Sequence, residues 1–303
     1  MRRLLFLFLP LLNWAQSTLP KPDCSETYYR FVITALANDS MEGRLPGTEA
    51  EKKSAGFIAR ELERMNCQPL FKKDYFTPFT YINPDSVLTR SAGNVVAKIE
   101  SKNRACVVIG AHYDHLGMGR HHSRAPFTQA IHNGADDNAS GVAMMLSLAD
   151  WCRQNKNSLP YSVILIAYSG EEDGLWGSKY FLDSGLTDTS AIYCYINLDM
   201  VGRLNTANPI LKTEGLPEYP ELAAWLMPDS LAGFSVRKCD PILKDGSDNY
   251  TFETHRIKGL SFTTGLTEQY HRPEDDADRI NYSGMVQISR YLRHLLLQIT
   301  PQP

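Results

Sequence analysis

Ala105-Cys-Val-Val-Ile-Gly-Ala111 runs straight into His112-Tyr113-Asp114, and Tyr161-Ser-Val-Ile-Leu-Ile-Ala-Tyr168 runs into Ser169-Gly-Glu171-Glu172-Asp173. Two more runs share this form. Ala191-Ile-Tyr-Cys-Tyr-Ile-Asn-Leu198 ends at Asp199, and Gly259-Leu-Ser-Phe-Thr-Thr264 is followed, after a short loop, by Tyr270-His271. Continuous apolar runs of this length predict strands covered on both faces. Helical patterns lie between and after them, over residues 139–154, 175–183, 218–231, 247–256 and 283–299. Strand and helix in alternation predict an α/β fold, a three-layer αβα domain around a central mixed, largely parallel sheet.

Upstream, residues 25–66 predict two helices, with Ser25 or Thr27 capping the first and Thr48 the second. Residues 70–100 are richer in Phe, Tyr, Val and Thr and predict extended chain. No internal repeat or low-complexity linker interrupts the pattern, so residues 17–303 are expected to form one domain.

The first sixteen residues read differently. Arg2-Arg3 is a short positive start, Leu4 to Leu12 an apolar run, and Asn13-Trp-Ala-Gln16 a polar, small-residue exit. That is the layout of a secretory signal peptide. It predicts an exported chain, periplasmic or secreted, with no membrane span left after cleavage. The chain of 303 residues carries 31 Lys+Arg against 34 Asp+Glu, net −3. Removal of two arginines leaves 29 against 34, or −5. This balance gives no electrostatic support to a nucleic-acid partner. Six cysteines in an exported chain permit disulfides, but Cys106 and Cys194 fall inside strand-like runs, where a buried thiol is the plainer reading.

The polar residues follow the strand ends. In open α/β sheets, ligands bind beyond the carboxyl ends of the strands. The four runs thus deliver His112, Glu171-Glu172, Asp199 and His271 to one edge. Asn133-Gly-Ala-Asp136-Asp137-Asn-Ala-Ser-Gly141, a polar turn opening the helix over 139–154, faces the same edge. Each piece alone has an ordinary structural explanation: a solvated Glu-Glu pair, an acid at a helix start, a His-Asp hydrogen bond. Together they make two histidines and several carboxylates converge. That set suits a zinc ion or a similar divalent cation, and acids gathered without a cation would repel. Phosphate-loop, dinucleotide, nucleophile-elbow and H-E-x-x-H signatures are missing.

Seven stretches, in order, resemble the co-catalytic zinc aminopeptidases of peptidase family M28. They are Ser40-Met-Glu-Gly-Arg-Leu-Pro-Gly47, Gly110-Ala-His-Tyr-Asp-His-Leu-Gly117, residues 133–141, Ser169-Gly-Glu-Glu-Asp-Gly-Leu-Trp-Gly-Ser178, Asn197-Leu-Asp-Met-Val-Gly202, Gly246-Ser-Asp-Asn-Tyr250 and Tyr270-His-Arg-Pro-Glu-Asp-Asp-Ala-Asp278. The resemblance implies a zinc exopeptidase-like fold and two Zn²⁺ ions, other divalent ions being possible. His112 and Asp199 would hold one ion and Glu172 and His271 the other. Asp136 would bridge them, with a cis peptide to Asp137. Glu171 would be the general base, and Asp114 and Asp137 would support the ligands. Asp248, Asn249 and Tyr250 would lie near the substrate, with Asn249 standing where relatives often carry His. His115, His121, His122 and His132 are assigned to loops and supporting contacts.

The implied activity is that of an exported metallo-exopeptidase, an aminopeptidase acting on peptides with a free N-terminus through a metal-bridging hydroxide. The alternatives are a glutaminyl-peptide cyclotransferase on the same fold, or a non-catalytic metal-binding module. The preferred N-terminal residue and the oligomeric state are left open by the sequence.

Overall fold

The computed structural model describes residues 19–301 apart from 72–73, 85, 120–121, 216–218 and 240–245. The predicted signal peptide, residues 1–16, lies outside the described residues. Helix α1 (Glu26–Leu36) starts where Ser25 accepts the Tyr28 amide, and α2 (Glu49–Arg64) where Thr48 accepts that of Glu51. The strands β1 (Gln68–Pro69), β2 (Phe76–Ile82) and β3 (Thr89–Ile99) follow, and then β4 (Cys106–His112). From there strand and helix alternate: α3 (Gly141–Gln154), β5 (Ser162–Tyr168), α4 (Trp176–Asp183) and β6 (Ile192–Leu198). The C-terminal third holds β7 (Ile210–Glu214), α5 (Asp229–Ala232), β8 (Ser235–Lys238), α6 (Asn249–Thr254), β9 (Gly259–Thr263) and α7 (Tyr282–Gln298).

Among the described residues, nine strands join one mixed sheet in the order β1-β3-β5-β4-β6-β9-β7-β8, with β2 also paired to β3. The central four, β5-β4-β6-β9, are parallel. They are flanked by antiparallel β3 on one side and β7 on the other. Period-two alternation sends side chains to two layers. Val107, Ile109 and Ala111 join α1, α3 and α7, while Cys106 and Val108 face α4 and α6. Burial on both faces is why these runs carry so few polar residues until their last position.

The expected αβα architecture is therefore present. Three elements differ from the sequence reading. Instead of a helix over 218–231 the chain has a 3₁₀ turn at Pro220–Trp225 and the four-residue α5. Pro220 can begin a helix, but Pro228 cannot sit inside one, because it lacks the amide and clashes with the preceding turn. The short strands β7 and β8 mix charged and apolar residues and show no clear period. Cys24, Cys67, Cys106, Cys152 and Cys194 are free thiols, all but Cys24 buried, and Cys239 is buried too. Among the described residues no helix is long and apolar enough to cross a membrane.

Candidate metal centre

The chain leaves β4 to form β5 on one side and β6 on the other. Such a reversal opens a crevice at the carboxyl ends of the strands. His112 is the last residue of β4, Glu171 and Glu172 follow β5, and Asp199 follows β6, its amide still donating to Phe262 of β9 at 3.1 Å. His271 arrives from the loop after β9. The turn at residues 135–140 enters between them.

Asp137 occupies the middle of this cluster. Its Oδ1 lies 3.3 Å from His112 Nε2, which is 3.5 Å from Asp199 Oδ1. Its Oδ2 lies 3.2 Å from His271 Nε2, which is also 3.2 Å from Glu172 Oε2. Two donor triads thus share one carboxylate. Ligand atoms about 2.0–2.2 Å from a tetrahedral zinc sit about 3.3–3.6 Å from one another, whereas a charge-assisted hydrogen bond is shorter, about 2.7–2.9 Å. The four separations therefore suit divalent-ion coordination better than direct hydrogen bonding. His115 supplies the contrast, because its Nδ1 is 2.7 Å from Glu172 Oε1, a true hydrogen bond. It steadies the glutamate from outside the triad.

Asp136 stands elsewhere, which corrects the sequence reading. Its Oδ1 accepts the Gly202 amide at 2.8 Å and the Ser140 hydroxyl at 3.3 Å, beneath the cluster. The cis peptide falls between Asp137 and Asn138 and not between Asp136 and Asp137. The local geometry explains this register. Gly134 turns the chain at φ +57, and the Asp275 carboxylate takes the amides of both Asp136 and Asp137 at 3.0–3.1 Å. With both amides pinned to one group, the Asp136 side chain goes to Gly202 and Ser140 and the Asp137 side chain to His112 and His271. Asn138 locks the exit, accepting the Gly141 and Met200 amides and donating to the Leu198 carbonyl at 2.9 Å.

Asp114 supports the cluster, but mainly through Glu171 and Glu172. Its carboxylate accepts their amides at 3.2 and 3.3 Å, while His112 Nδ1 faces its main-chain carbonyl at 3.2 Å and its carboxylate at 3.8 Å. His271 Nδ1 is held by the His122 carbonyl at 2.9 Å, and Tyr270 stacks on its ring. His112 and His271 therefore both have the other nitrogen engaged, the arrangement in which a histidine can serve as a metal ligand. The sequence alone does not single out His115 and Asp275 as site-builders. Both sit inside the quoted motifs, and their burial at 0% and 1% is what identifies them.

Electrostatics separates the acids. Burial raises the Glu171 carboxyl well above the usual range, with Glu172, Asp199 and Asp248 adding to it against His112. Burial would raise Asp137 too, but His112, His115 and His271 hold it well below. Burial depresses His271, yet Glu172 and Asp137 push it up to about 11.

A cavity of about 560 Å³ opens over the cluster, and Asn249 and Tyr250 line it with Glu171. Asp248 is 1% exposed and does not reach its wall, where Asn249 donates to Glu214 at 2.8 Å. A second groove of about 710 Å³ meets the cluster at Glu172 from the side of His115, His122 and Phe127.

Residues 94–296 match peptidase family M28. The alkaline phosphatase isozyme conversion protein of Escherichia coli is 29% identical over 59% of this chain and 52% of its own length. This chain therefore spans about half of that relative. A Zn-dependent exopeptidase from Parabacteroides distasonis superposes with a TM-score of 0.72 at 18% identity, over 92% of this chain and 99% of that one. A glutaminyl cyclase from Bacteroides thetaiotaomicron superposes with a TM-score of 0.74 at 17% identity, over 93% and 100%. The two solved structures carry the same fold. The family match spans well over half of the chain and contains both donor triads, so the chain belongs to peptidase family M28.

Proposed function

We propose that this chain is a di-zinc exopeptidase that removes N-terminal residues from peptides. The observation that carries the reading is the pair of Asp137 oxygens, each facing a different histidine with a further carboxylate beside it. His112, Asp199 and Asp137 would hold one ion, and His271, Glu172 and Asp137 the other. When bound, the ions supply Lewis acidity toward the scissile carbonyl and lower the pKa of water.

The chain's own residues do the rest. Glu171 lies with His112 and Asp199 but takes no part in the shared Asp137 contacts. Its buried carboxylate accepts a proton from the attacking water and returns it to the leaving amine. Burial that raises its basicity serves both halves of that exchange. Asp114 fixes Glu171 and Glu172 through their amides, so the base and a ligand keep their separation. The Arg2–Gln16 layout supports export of the mature enzyme.

The test is digestion of a peptide library with product identification, with and without zinc. Release of free N-terminal amino acids supports the reading. Conversion of N-terminal glutamine to a cyclic end, with no amino acid released, assigns the cyclase activity whose fold is shared. Release from the C-terminus, or no turnover with both sites loaded, refutes it.

A further inference from the structure

The motif Ser40-Met-Glu-Gly-Arg-Leu-Pro-Gly47 plays no part in the donor triads and precedes the family-matched span, which starts at residue 94. Its backbone is unusual. Glu42, Gly43 and Arg44 take φ of 46, 65 and 49 in succession, a left-handed run that side chains disfavour. A Cβ at Gly43 would stand 2.5 Å from the Gly117 carbonyl oxygen and 2.6 Å from that of His132. Residues held in such conformations persist where the surroundings demand them.

This turn drives the Arg44 side chain into the interior, where it is 0% exposed. Its guanidinium donates to main-chain carbonyls: Tyr113 at 2.6 Å, Asn133 at 2.6 Å, Gly134 at 2.9 Å and Leu36 at 2.8 Å. Tyr113 lies between His112 and Asp114, and Asn133-Gly134 leads directly into the turn that presents Asp137. One planar cation thus ties the His112 segment to the Asp137 segment. Burial lowers its pKa to about 10, against the acids Asp137, Asp114, Asp275 and Glu172, which favour its charge.

Glu51, on α2, does the converse. It is 1% exposed, and its carboxylate accepts the Ser169 hydroxyl at 2.6 Å and the Tyr113 hydroxyl at 3.2 Å. Ser169 is two residues before Glu171. Arg44 takes the Tyr113 carbonyl. The Tyr113 hydroxyl donates mainly to the Gly93 carbonyl at 2.7 Å, and the Gly93 amide donates to Glu51 at 3.2 Å, so one residue is held from both ends.

We propose that Arg44 and Glu51 are positioning residues of the metal centre, clamping the His112, Asp137 and Glu171 segments into one geometry from a part of the chain outside the family-matched span. The proposal rests on the di-zinc reading above. A guanidinium is required because its fork reaches several carbonyls in one plane, which a lysine ammonium cannot. Small displacements of a ligand or base are costly, on the order of 100-fold in rate for about 1 Å.

The experiment compares wild type with Arg44→Gly, Arg44→Lys and Glu51→Gln. Arg44→Gly removes the guanidinium while glycine tolerates the positive φ. The measurements are zinc affinity against a competing chelator, the visible spectrum of the Co²⁺-loaded protein, thermal unfolding of the metal-free protein, and kcat and KM on aminoacyl p-nitroanilides. Expected results are a folded Arg44→Gly, zinc affinity lower by about 10- to 100-fold, an altered Co²⁺ spectrum, and kcat lower by about 100-fold with KM nearly unchanged. Millimolar guanidinium should restore part of kcat in Arg44→Gly and none in Arg44→Lys. Glu51→Gln should lower kcat and shift the Co²⁺ spectrum in the same direction. Wild-type zinc affinity, spectrum and kcat in a folded Arg44→Gly or in Glu51→Gln would overturn the proposal for that residue, as would failure of both Arg44 variants to fold, which would make the cation a folding requirement. Should wild type itself show no peptidase activity, the functional reading fails, while affinity and spectrum still decide the clamp.

Discussion

Replacing Asp137 by Asn, beside the same change at Asp136, tests the site at its most specific point. Asp137 places Oδ1 3.3 Å from His112 and Oδ2 3.2 Å from His271. An amide keeps one neutral oxygen and turns NH₂ toward the other histidine, so one triad loses a donor outright. The ligand charge falls from −3, carried by Asp137, Glu172 and Asp199, to −2 facing two divalent ions. Disturbing a supporting partner of a ligand costs about 10- to 100-fold in metal affinity. Loss of the shared ligand should therefore cost at least about 100-fold at one site, and dialysis should leave the variant with fewer than two ions. Metal-free stability should move as well. Burial works against the Asp137 charge, yet the three histidines hold its carboxyl well below the usual range. For a depressed carboxyl the stabilisation is full above the ordinary carboxylate pKa and is lost as pH falls through the folded value. At neutral pH the amide forfeits it, by about 3–5 kcal/mol if the buried histidines are left uncompensated. Asp136 runs the other way: burial and Asp275 raise its carboxyl, so its charge is unfavourable in the fold at neutral pH. The side-chain amide introduced by Asp136→Asn can still accept from Gly202 and Ser140. That variant should keep both ions, with metal-free stability unchanged or higher. The assay is elemental analysis after dialysis against buffered zinc, together with calorimetry of the metal-free variants. Should Asp136→Asn lose metal while Asp137→Asn keeps two ions, the bridging assignment and the reasoning behind it are wrong.

A chelator should abolish activity and lower the Tm, since occupancy at a hundredfold excess over Kd contributes about 2.7 kcal/mol per site, worth several degrees in a chain of this size; full activity in protein shown to be metal-free would sink the assignment. Glu171→Gln should retain both ions and lose turnover by about two to four orders of magnitude, while Glu172→Gln should weaken the His271 site. Metal stoichiometry beside kcat for the two variants reads this directly, and metal loss confined to Glu171→Gln would reverse the roles.

Much of this is legible in the sequence because the sheet imposes a simple rule. Strands buried on both faces must be apolar until they leave the core, so the first charged residue after each run marks the crevice. That rule finds His112, Glu171, Glu172 and Asp199, and a short loop away His271, without any distance. It cannot choose between Asp136 and Asp137. Both lie in a turn with no period to assign faces, and the choice is made by Asp275, which arrives about 140 residues later in the chain and takes both amides. Nor can it place Arg44. An arginine after Glu-Gly looks solvated in sequence, and only three successive positive φ angles turn it inward. The histidines are a case where the rule suffices. His112 and His271 follow strand ends and His115 is read as a supporting contact, and in the fold His115 stands at hydrogen-bonding distance from Glu172 while the other two stand off at 3.2–3.5 Å from their acids. Of the candidate ligands, His112, Glu172, Asp199 and His271 are announced by where strands end, and Asp137 is not. The residues that decide how they bind come from remote segments, and only their convergence in the fold reveals them.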